Sequence, residues 1–198
     1  MSTSGAVGVF CNGKLFVSYV HWDSYPSSLG QKVVDFCKEL TDKRIDILKQ
    51  KFNSINMVDL EDKADKESQK KYSDAGFFDD NIADGNPSNW YCLLRNIQGI
   101  KYLEAVLDGS CSHWIDMSAF LKQSLQCEYA YIINLDNGTL EFYKGFNKAP
   151  DTKSYLPFEQ KKDSSGYYPV RFKGSVSIKE ILDNWIDKFY SLKKSKVC

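Results

Sequence analysis

The residues with the clearest chemical potential lie in one short segment, residues 21–26, which reads His-Trp-Asp-Ser-Tyr-Pro. The imidazole of His21 can exchange a proton near neutral pH. Asp23 can orient that imidazole, and the Tyr25 hydroxyl can donate to a ligand. If the protein is an enzyme, we predict that His21 is the catalytic base and Asp23 its orienting group. In either case we expect Trp22 and Tyr25 to contact a bound ligand.

A purely structural role is the alternative for the same segment. Asp23 or Ser24 would then hydrogen-bond the backbone of a turn, and Trp22 would belong to the core. Pro26 ends the preceding strand, so the segment lies at a corner between a strand and a helix. Side chains at such a corner are held rigidly at the edge of a pocket.

The first residues offer a second route to catalysis. A Ser or Thr at the start of a strand can act as a nucleophile when its own amine is the base. Removal of Met1 would expose Ser2 in this role. Thr3 and Ser4 follow directly, and we expect their hydroxyls to contact a ligand.

Cys111 and His113 are two residues apart, a spacing that brings side chains to one face of a strand and separates them on a helix. A cysteine nucleophile needs its base within hydrogen-bond distance, and Asp116 follows as a third polar group. Two interpretations stay open at this point: a thiol–imidazole pair, and an incidental neighbourhood.

Cofactor and metal motifs are absent from the sequence. The chain has two histidines and contains no His-Glu-x-x-His, no Gly-rich phosphate loop and no Gly-x-Ser-x-Gly. Its six cysteines form neither a Cys-x-x-Cys pair nor a zinc-finger spacing with histidine. We therefore predict no metal and no cofactor, and six reduced thiols as in a cytoplasmic protein.

Composition narrows the class of protein. The 26 basic and 26 acidic side chains give no net charge, which makes a nucleic-acid partner unlikely. Hydrophobic residues at 42% exclude a wholly disordered chain, and 198 residues suit one domain, residues 1–198. No stretch approaches the roughly 18 apolar residues of a membrane span, and the first ten residues lack the features of a signal peptide.

Alternating hydrophobicity predicts two hairpins. The first turns at Asn12-Gly13, a pair typical of a type I′ turn, and the second turns at residues 136–138, Asp-Asn-Gly. The predicted strands are residues 6–11, 14–20, 127–135, 139–144 and 167–173.

Helical spacing of apolar residues separates the two hairpins and recurs at the end of the chain. Ser28 with Gln31 resembles a capping box for the first helix, and Ser177 with Glu180 resembles one for the last. Favourable i,i+4 charge pairs over residues 59–71 predict a further, solvated helix. The apolar helices are predicted over residues 29–40, 45–55, 90–97, 100–107 and 178–189.

Residues 73–89 have the composition of a long loop, with Phe77 and Phe78 folding back onto the body and Ser88 or Asn89 capping the next helix. The order of elements predicts an α+β fold. We expect a mostly antiparallel sheet from two β-hairpins plus a later strand, with helices packed on one face.

Two of these blocks resemble a group of small uncharacterised proteins of bacteria and their phages. Members start with a short strand pair and a His-x-Asp-x-Tyr-Pro motif with a Gly four residues after the Pro, here His21, Asp23, Tyr25, Pro26 and Gly30. Residues 127–148 are similar to the second hairpin of the group. The group often begins Gly-Thr-Arg-Gly, whereas this chain has Ser-Thr-Ser-Gly, so an anion-binding role for that arginine does not carry over. The resemblance implies this fold and the importance of residues 21–30.

Three functions are consistent with the sequence. The first is a binding module whose pocket lies at the corner of residues 21–30. It would hold a small molecule, for example a nucleotide-like one, or a host protein if the phage resemblance implies a host conflict. The second is a hydrolase that uses His21 and Asp23, or Ser2. The third is a structural or assembly role, and the oligomeric state is left open.

Overall fold

A five-stranded sheet forms the centre of the molecule in the computed structural model, which describes residues 3–154 and 156–191. Its strand order is β2-β1-β5-β6-β7, and every neighbouring pair is antiparallel except β1 and β5. The sheet strands are β1 (Gly5–Cys11), β2 (Lys14–Val20), β5 (Tyr129–Asn134), β6 (Thr139–Lys144) and β7 (Arg171–Ser177). The predicted α+β fold with a mostly antiparallel sheet is therefore confirmed, and the parallel pair of β1 and β5 makes this sheet mixed.

Both hairpins form where the sequence predicts them. Asn12 and Gly13 adopt φ angles of 51° and 72°, the left-handed values that a type I′ turn requires. The carboxylate of Asp136, in the second hairpin, accepts hydrogen bonds from the backbone N–H groups of Asn12 at 2.8 Å and Gly13 at 3.0 Å. The two turns are thus joined at the same end of the sheet.

The sheet has two unlike faces. One packs against the helices through a large apolar cluster that includes Val7, Val9, Tyr131, Ile133 and Phe142. The opposite face, with Ala130 and Ile132, is covered by the segment around Phe120 and by residues 156–172. Helices therefore cover one face of the sheet, as the pattern of elements predicts.

The helices are α1 (Gln31–Lys38), α2 (Asp42–Asn53), α3 (Lys66–Asp74), α4 (Trp90–Leu93), α5 (Ile100–Asp108) and α6 (Trp185–Ser191). Asn89 caps α4 by accepting from the N–H of Tyr91, and Gly109 ends α5 in the left-handed conformation. Phe77 and Phe78 pack against the core, so the long loop does fold back.

Both predicted capping boxes are wrong. Ser28 lies inside a π-helical turn, Pro26–Gly30, that runs directly into α1, so its hydroxyl does not occupy an N-cap position. Ser177 precedes a short 3₁₀ turn, Ile178–Glu180, and α6 starts only at Trp185. A wider π-helical turn in the first place, and a tighter 3₁₀ turn in the second, stands where a regular first helical turn was expected.

Two further boundaries differ from the prediction. The last sheet strand is shifted towards the C-terminus, to β7, because Val170 bonds to the backbone of Leu121 instead of joining the sheet. The charged stretch is helical only from Lys66, since Asp65 caps α3 and Asp62 accepts from the N–H of Asp59 in a turn. A small parallel pair, β3 (Asn56–Val58) with β4 (His113–Ile115), was not predicted.

Candidate functional site

A short chain of polar side chains lies where β1 begins and β2 ends. Tyr19 Oη is 2.6 Å from His21 Nδ1, and Ser4 Oγ is 3.5 Å from Tyr19 Oη. The Ser4 hydroxyl also donates to the backbone carbonyl of His21 at 3.3 Å. Because Tyr19 and His21 are two residues apart in an extended segment, their side chains share one side of it. The Tyr19 hydroxyl, rather than the Asp23 carboxylate, lies within hydrogen-bond distance of Nδ1 of the imidazole.

This polar chain opens into a cavity of about 920 Å³. Three parts of the molecule form its wall: the start of β1 with the end of β2, the segment before β5, and two loop segments that an isolated bridge between Lys63 and Asn89 holds together. The lining residues are Ser4, Tyr19, His21, Leu60, Glu61, Lys63, Asn89, Tyr91, Met117, Phe120, Leu125, Gln126 and Glu128. Its volume lies in the range of about 300–1,000 Å³ that small-molecule sites occupy.

The wall of this cavity combines aromatic rings with a mildly acidic charge. Tyr19 packs edge-on against Phe120 with ring centroids 4.9 Å apart, so both rings are fixed in place. Glu61 and Glu128 contribute two carboxylates and Lys63 a single ammonium. Such a wall suits a flat ring with hydrogen-bonding edges and disfavours a group with several negative charges.

Asp23 and Trp22 lie on a different cavity. They line a volume of about 440 Å³ together with residues of the segment that leads into α5. Asp23 has a φ angle of 53°, and its carbonyl accepts from the N–H of Leu29. Trp22 is 58% exposed, so the interpretation of Trp22 as a core residue is wrong. Asp23 thus lines this cavity, whereas His21 lines the large one and, with Trp22, a further cavity of about 310 Å³.

Tyr25 and Thr3 lie outside these lining sets. The Tyr25 ring faces that of Tyr129 at a centroid distance of 6.0 Å. Thr3 is almost completely buried, and its carbonyl accepts from the N–H of Ser24. Ser2 lies outside the described residues. Of the six residues predicted to form the site, the structure therefore brings Ser4 and His21 to the large cavity.

Two buried hydroxyls mark this end of the sheet. Thr3 Oγ1 and Ser24 Oγ are both buried without a hydrogen-bond partner among the described residues. The backbone of Ser24 is satisfied, because its N–H bonds to Thr3 and its carbonyl accepts from Tyr131 Oη at 3.0 Å. A buried polar atom without a partner is rare in folded proteins.

Cys111 and His113 do not form a thiol–imidazole pair. The thiol donates to the backbone carbonyl of His113 at 3.3 Å, whereas the imidazole Nδ1 is 2.7 Å from Tyr72 Oη. Burial raises the pKa of Cys111 to about 11, so the thiolate is scarce at neutral pH. The imidazole packs against Trp90 at 4.7 Å, and burial lowers the pKa of His113.

The described part of the chain contains no group of three or more His, Cys, Asp or Glu side chains placed to hold a metal ion. Nor does it contain a helix with the length and apolar character needed to cross a membrane.

Most of the residues that line the large cavity were not predicted from the sequence. Tyr19 was recognised as a strand residue, and its spacing of two from His21 was the signal that could have placed it in the site. Lys63, Asn89 and Glu128 come from distant segments, and no local pattern joins them. Searches of protein-family models, curated protein sequences and solved structures found no match for this chain.

Proposed function

We propose that the protein binds a small molecule with a flat, nucleoside-like ring in the cavity beside His21. The observation that carries the proposal is the cavity itself, about 920 Å³ and lined by the hydrogen-bonded Tyr19–His21 pair. Rigid aromatic walls with a few polar groups are the usual composition of a ligand site. The ring would stack against aromatic side chains and bond to the amides and carboxylates of the wall.

The charge of the wall supports a ligand with few or no phosphates. Glu61 and Glu128 face the same volume as the single ammonium of Lys63, so a triphosphate would meet more negative than positive charge. A nucleoside, a free base or an amine-bearing heterocycle avoids this repulsion. Within the broader class of nucleotide-like ligands, the cavity therefore favours the uncharged members.

A hydrolase is the second candidate, and one observation favours it. The Tyr19 hydroxyl fixes the ring of His21 at the edge of the cavity, as a catalytic base requires. In this version Tyr19, and not Asp23, is the positioning residue for the imidazole.

Thermal-shift measurements with purines, pyrimidines, their nucleosides and their nucleotides test the proposal. A ligand at about 100 times its Kd raises the free energy of unfolding by roughly 2.7 kcal/mol. We expect a nucleoside or base to raise Tm, and we expect Tyr19→Phe and Glu128→Gln to weaken the shift. Glu67→Gln, an exposed glutamate on α3, is the matched control and should leave the shift unchanged.

Asp23→Asn decides which cavity is used. A ligand seated beside His21 should bind this variant as it binds the native chain, because Asp23 lines the other cavity. No stabilisation by any member of the panel, or loss of binding in Asp23→Asn alone, would contradict the proposal. Turnover of the bound compound that disappears in His21→Ala would instead establish the hydrolase.

A further inference from the structure

Another cavity, strongly basic and about 290 Å³ in volume, lies at the same end of the sheet, beyond β5. The register places Val20, Gly5, Tyr129, Lys144 and Arg171 in one row across the five strands. The large cavity beside His21 adjoins the β2 side of this row and the basic cavity adjoins the β7 side. The basic cavity is lined by Lys144, Gly145, Phe146, Asn147, Lys148, Ala149, Arg171 and Lys173. It thus contains four cationic residues and no carboxylate.

Two of the cations are direct cross-strand neighbours. Lys144 of β6 pairs with Arg171 of β7 in the antiparallel register. Like charges opposite each other on neighbouring strands destabilise a sheet. Stability alone does not favour this pair, whereas an anion placed between the two cations would reverse the sign of the interaction.

An irregularity of the sheet adds a third cation. Phe142 pairs with Gly174 and Tyr143 with Phe172, so Lys173 is the extra residue of a β-bulge. A bulge changes the direction of the side chains around it and is common beside functional sites. Here it separates the two paired parts of β7, the part from Gly174 onward and the part that carries Arg171, and Lys173 lines the cavity.

Aromatic rings, not carboxylates, support two of the cationic side chains. The Lys144 ammonium lies 5.2 Å from the centroid of the Tyr129 ring, and the Lys148 ammonium lies 5.6 Å from the centroid of the Tyr167 ring. None of the ion pairs between described residues involves Lys144, Lys148 or Arg171. Their charge is therefore not neutralised by a described carboxylate within ion-pair distance.

The loop that closes the cavity is held in an unusual conformation. Phe146 has a φ angle of 55°, which is rare for a bulky residue, and its side chain is 47% exposed. Its N–H donates to the carbonyl of Ser124 at 2.7 Å. The buried Asn147 side chain donates to the carbonyl of Pro169 at 2.9 Å. These bonds fix the backbone while they leave an aromatic ring at the rim.

We propose that this basic cavity binds the phosphate groups of a small phosphorylated molecule. Arg171 can hold a phosphate with two hydrogen bonds, and the lysines add charge around it. The volume is near the lower end of small-ligand sites, which fits a pyrophosphate group better than a polymer. The exposed ring of Phe146 can contact the organic part of the ligand where it extends out of the cavity. This site is separate from the one beside His21 and does not depend on it.

Isothermal titration with inorganic pyrophosphate tests the proposal. We expect saturable 1:1 binding that weakens as salt is added, and we expect Arg171→Gln and Lys144→Gln each to raise Kd about tenfold or more. Lys14→Gln, at an exposed strand end on the opposite edge of the sheet, is the control and should change Kd by less than about twofold. His21→Ala should leave pyrophosphate binding unchanged, which separates this test from that of the large cavity beside His21.

The melting temperature without ligand gives a second readout. Because it removes a repulsive cross-strand pair, Lys144→Gln should leave Tm unchanged or raise it while it weakens binding. Equal loss of binding in Lys14→Gln would show diffuse attraction and overturn the proposal. Failure of pyrophosphate to bind would also overturn it. So would a protein that does not bind pyrophosphate but binds single-stranded oligonucleotides with an affinity that increases with their length.

Discussion

The two ends of the central sheet differ in how completely their polar groups are satisfied. At the end with the two hairpin turns, Asp136 accepts from the backbone of Asn12 and Gly13, and the buried Asn134 side chain donates to Glu141 at 2.8 Å. At the other end, Thr3 Oγ1 and Ser24 Oγ are buried without a described partner, and the large cavity beside His21 and the basic cavity open there.

Backbone strain follows the same division. Asn12, at the turn end, has the positive φ angle that its turn type uses and that asparagine tolerates. Asp23 and Phe146, at the cavity end, have positive φ angles outside any hairpin turn. The contrast shows that polar groups at the turn end satisfy one another, whereas the cavity end keeps features that folding alone does not favour.

Gly5→Ala should have the largest effect on stability. A Cβ at this position would lie 2.4 Å from Ser24 Cβ and 2.4 Å from the Tyr129 carbonyl oxygen. Strands β1 and β5 must then separate at the cavity end, and we expect the free energy of unfolding to fall by about 3 kcal/mol. Urea denaturation measures this loss. Gly138→Ala, whose Cβ would meet no atom within 4 Å, is the control and should lose about 1 kcal/mol for its positive φ. Equal losses would show that the cavity end is not closely packed.

Asn134→Ala should come next, because it breaks a satisfied network at the turn end. It removes the donor to Glu141, a buried carboxylate that also accepts from Tyr143 Oη at 2.6 Å. We expect a loss of about 2 kcal/mol in the free energy of unfolding by chemical denaturation. Asn137→Ala is the control. It keeps the backbone N–H of residue 137, so we expect almost no change in the free energy of unfolding. If Asn137→Ala lost as much stability as Asn134→Ala, the loss would come from the turn and not from the hydrogen-bond network around Glu141.

Asp136→Ala removes the link between the two turns. Two backbone N–H groups lose a charged acceptor, but both are exposed and can bond to water, so we expect a loss of about 1 kcal/mol. Asp46→Ala, an exposed aspartate on α2, should leave stability unchanged. Hydrogen exchange at Asn12 and Gly13 should quicken in Asp136→Ala, and unchanged exchange there would argue against the link.

His113 lies on β4, outside the five-stranded sheet, and gives a reference for the pH dependence of stability. Its pKa in the folded protein is below the ordinary value because burial disfavours the charged imidazole, while Asp65 opposes and Lys71 reinforces this effect. The unfolded chain therefore takes up a proton first as pH falls below about 6.5, and stability decreases from there down to the lower folded pKa. His113→Asn should flatten this part of a stability–pH curve measured by urea denaturation. An unchanged slope in the variant would assign the pH dependence to other groups.

Ser24→Ala should have the smallest effect on the free energy of unfolding, and the direction of the change is informative. The hydroxyl has no described partner, so its removal should change the free energy of unfolding by less than about 0.5 kcal/mol or stabilise the protein. Thermal denaturation of the native and variant chains measures the difference. A loss above about 1 kcal/mol would show that the hydroxyl is satisfied in solution, and the contrast between the two ends would weaken.

Local patterns predicted much of the secondary structure. Asn12-Gly13 predicted the first turn because few residues other than Gly and Asn adopt two successive positive φ angles. Asn89 and Gly109 were recognised as helix ends for similar local reasons. The parallel contact between β1 and β5 was not predictable, since nothing near residues 5–10 specifies a partner so distant in sequence.

The candidate sites were predictable to a smaller extent. His21 and Ser4 were named from their types and positions, and they line the large cavity. Asp23 was predicted to orient His21, but its positive φ belongs to a corner that places it on another cavity. The pairing of Lys144 with Arg171 could not be predicted from the sequence, because only the strand register brings them opposite each other.

The parallel pairing of β1 with β5 also sets the order of events during synthesis. Residues 5–10 pair with residues 129–134, so the first hairpin emerges long before its central neighbour exists. At about 5–20 residues per second, the hairpin waits roughly ten seconds with one edge of β1 uncovered. Contacts of such long range also slow the folding of the finished chain. A nascent chain that stops before Tyr129 would therefore expose the apolar strand β1 to aggregation or to chaperones.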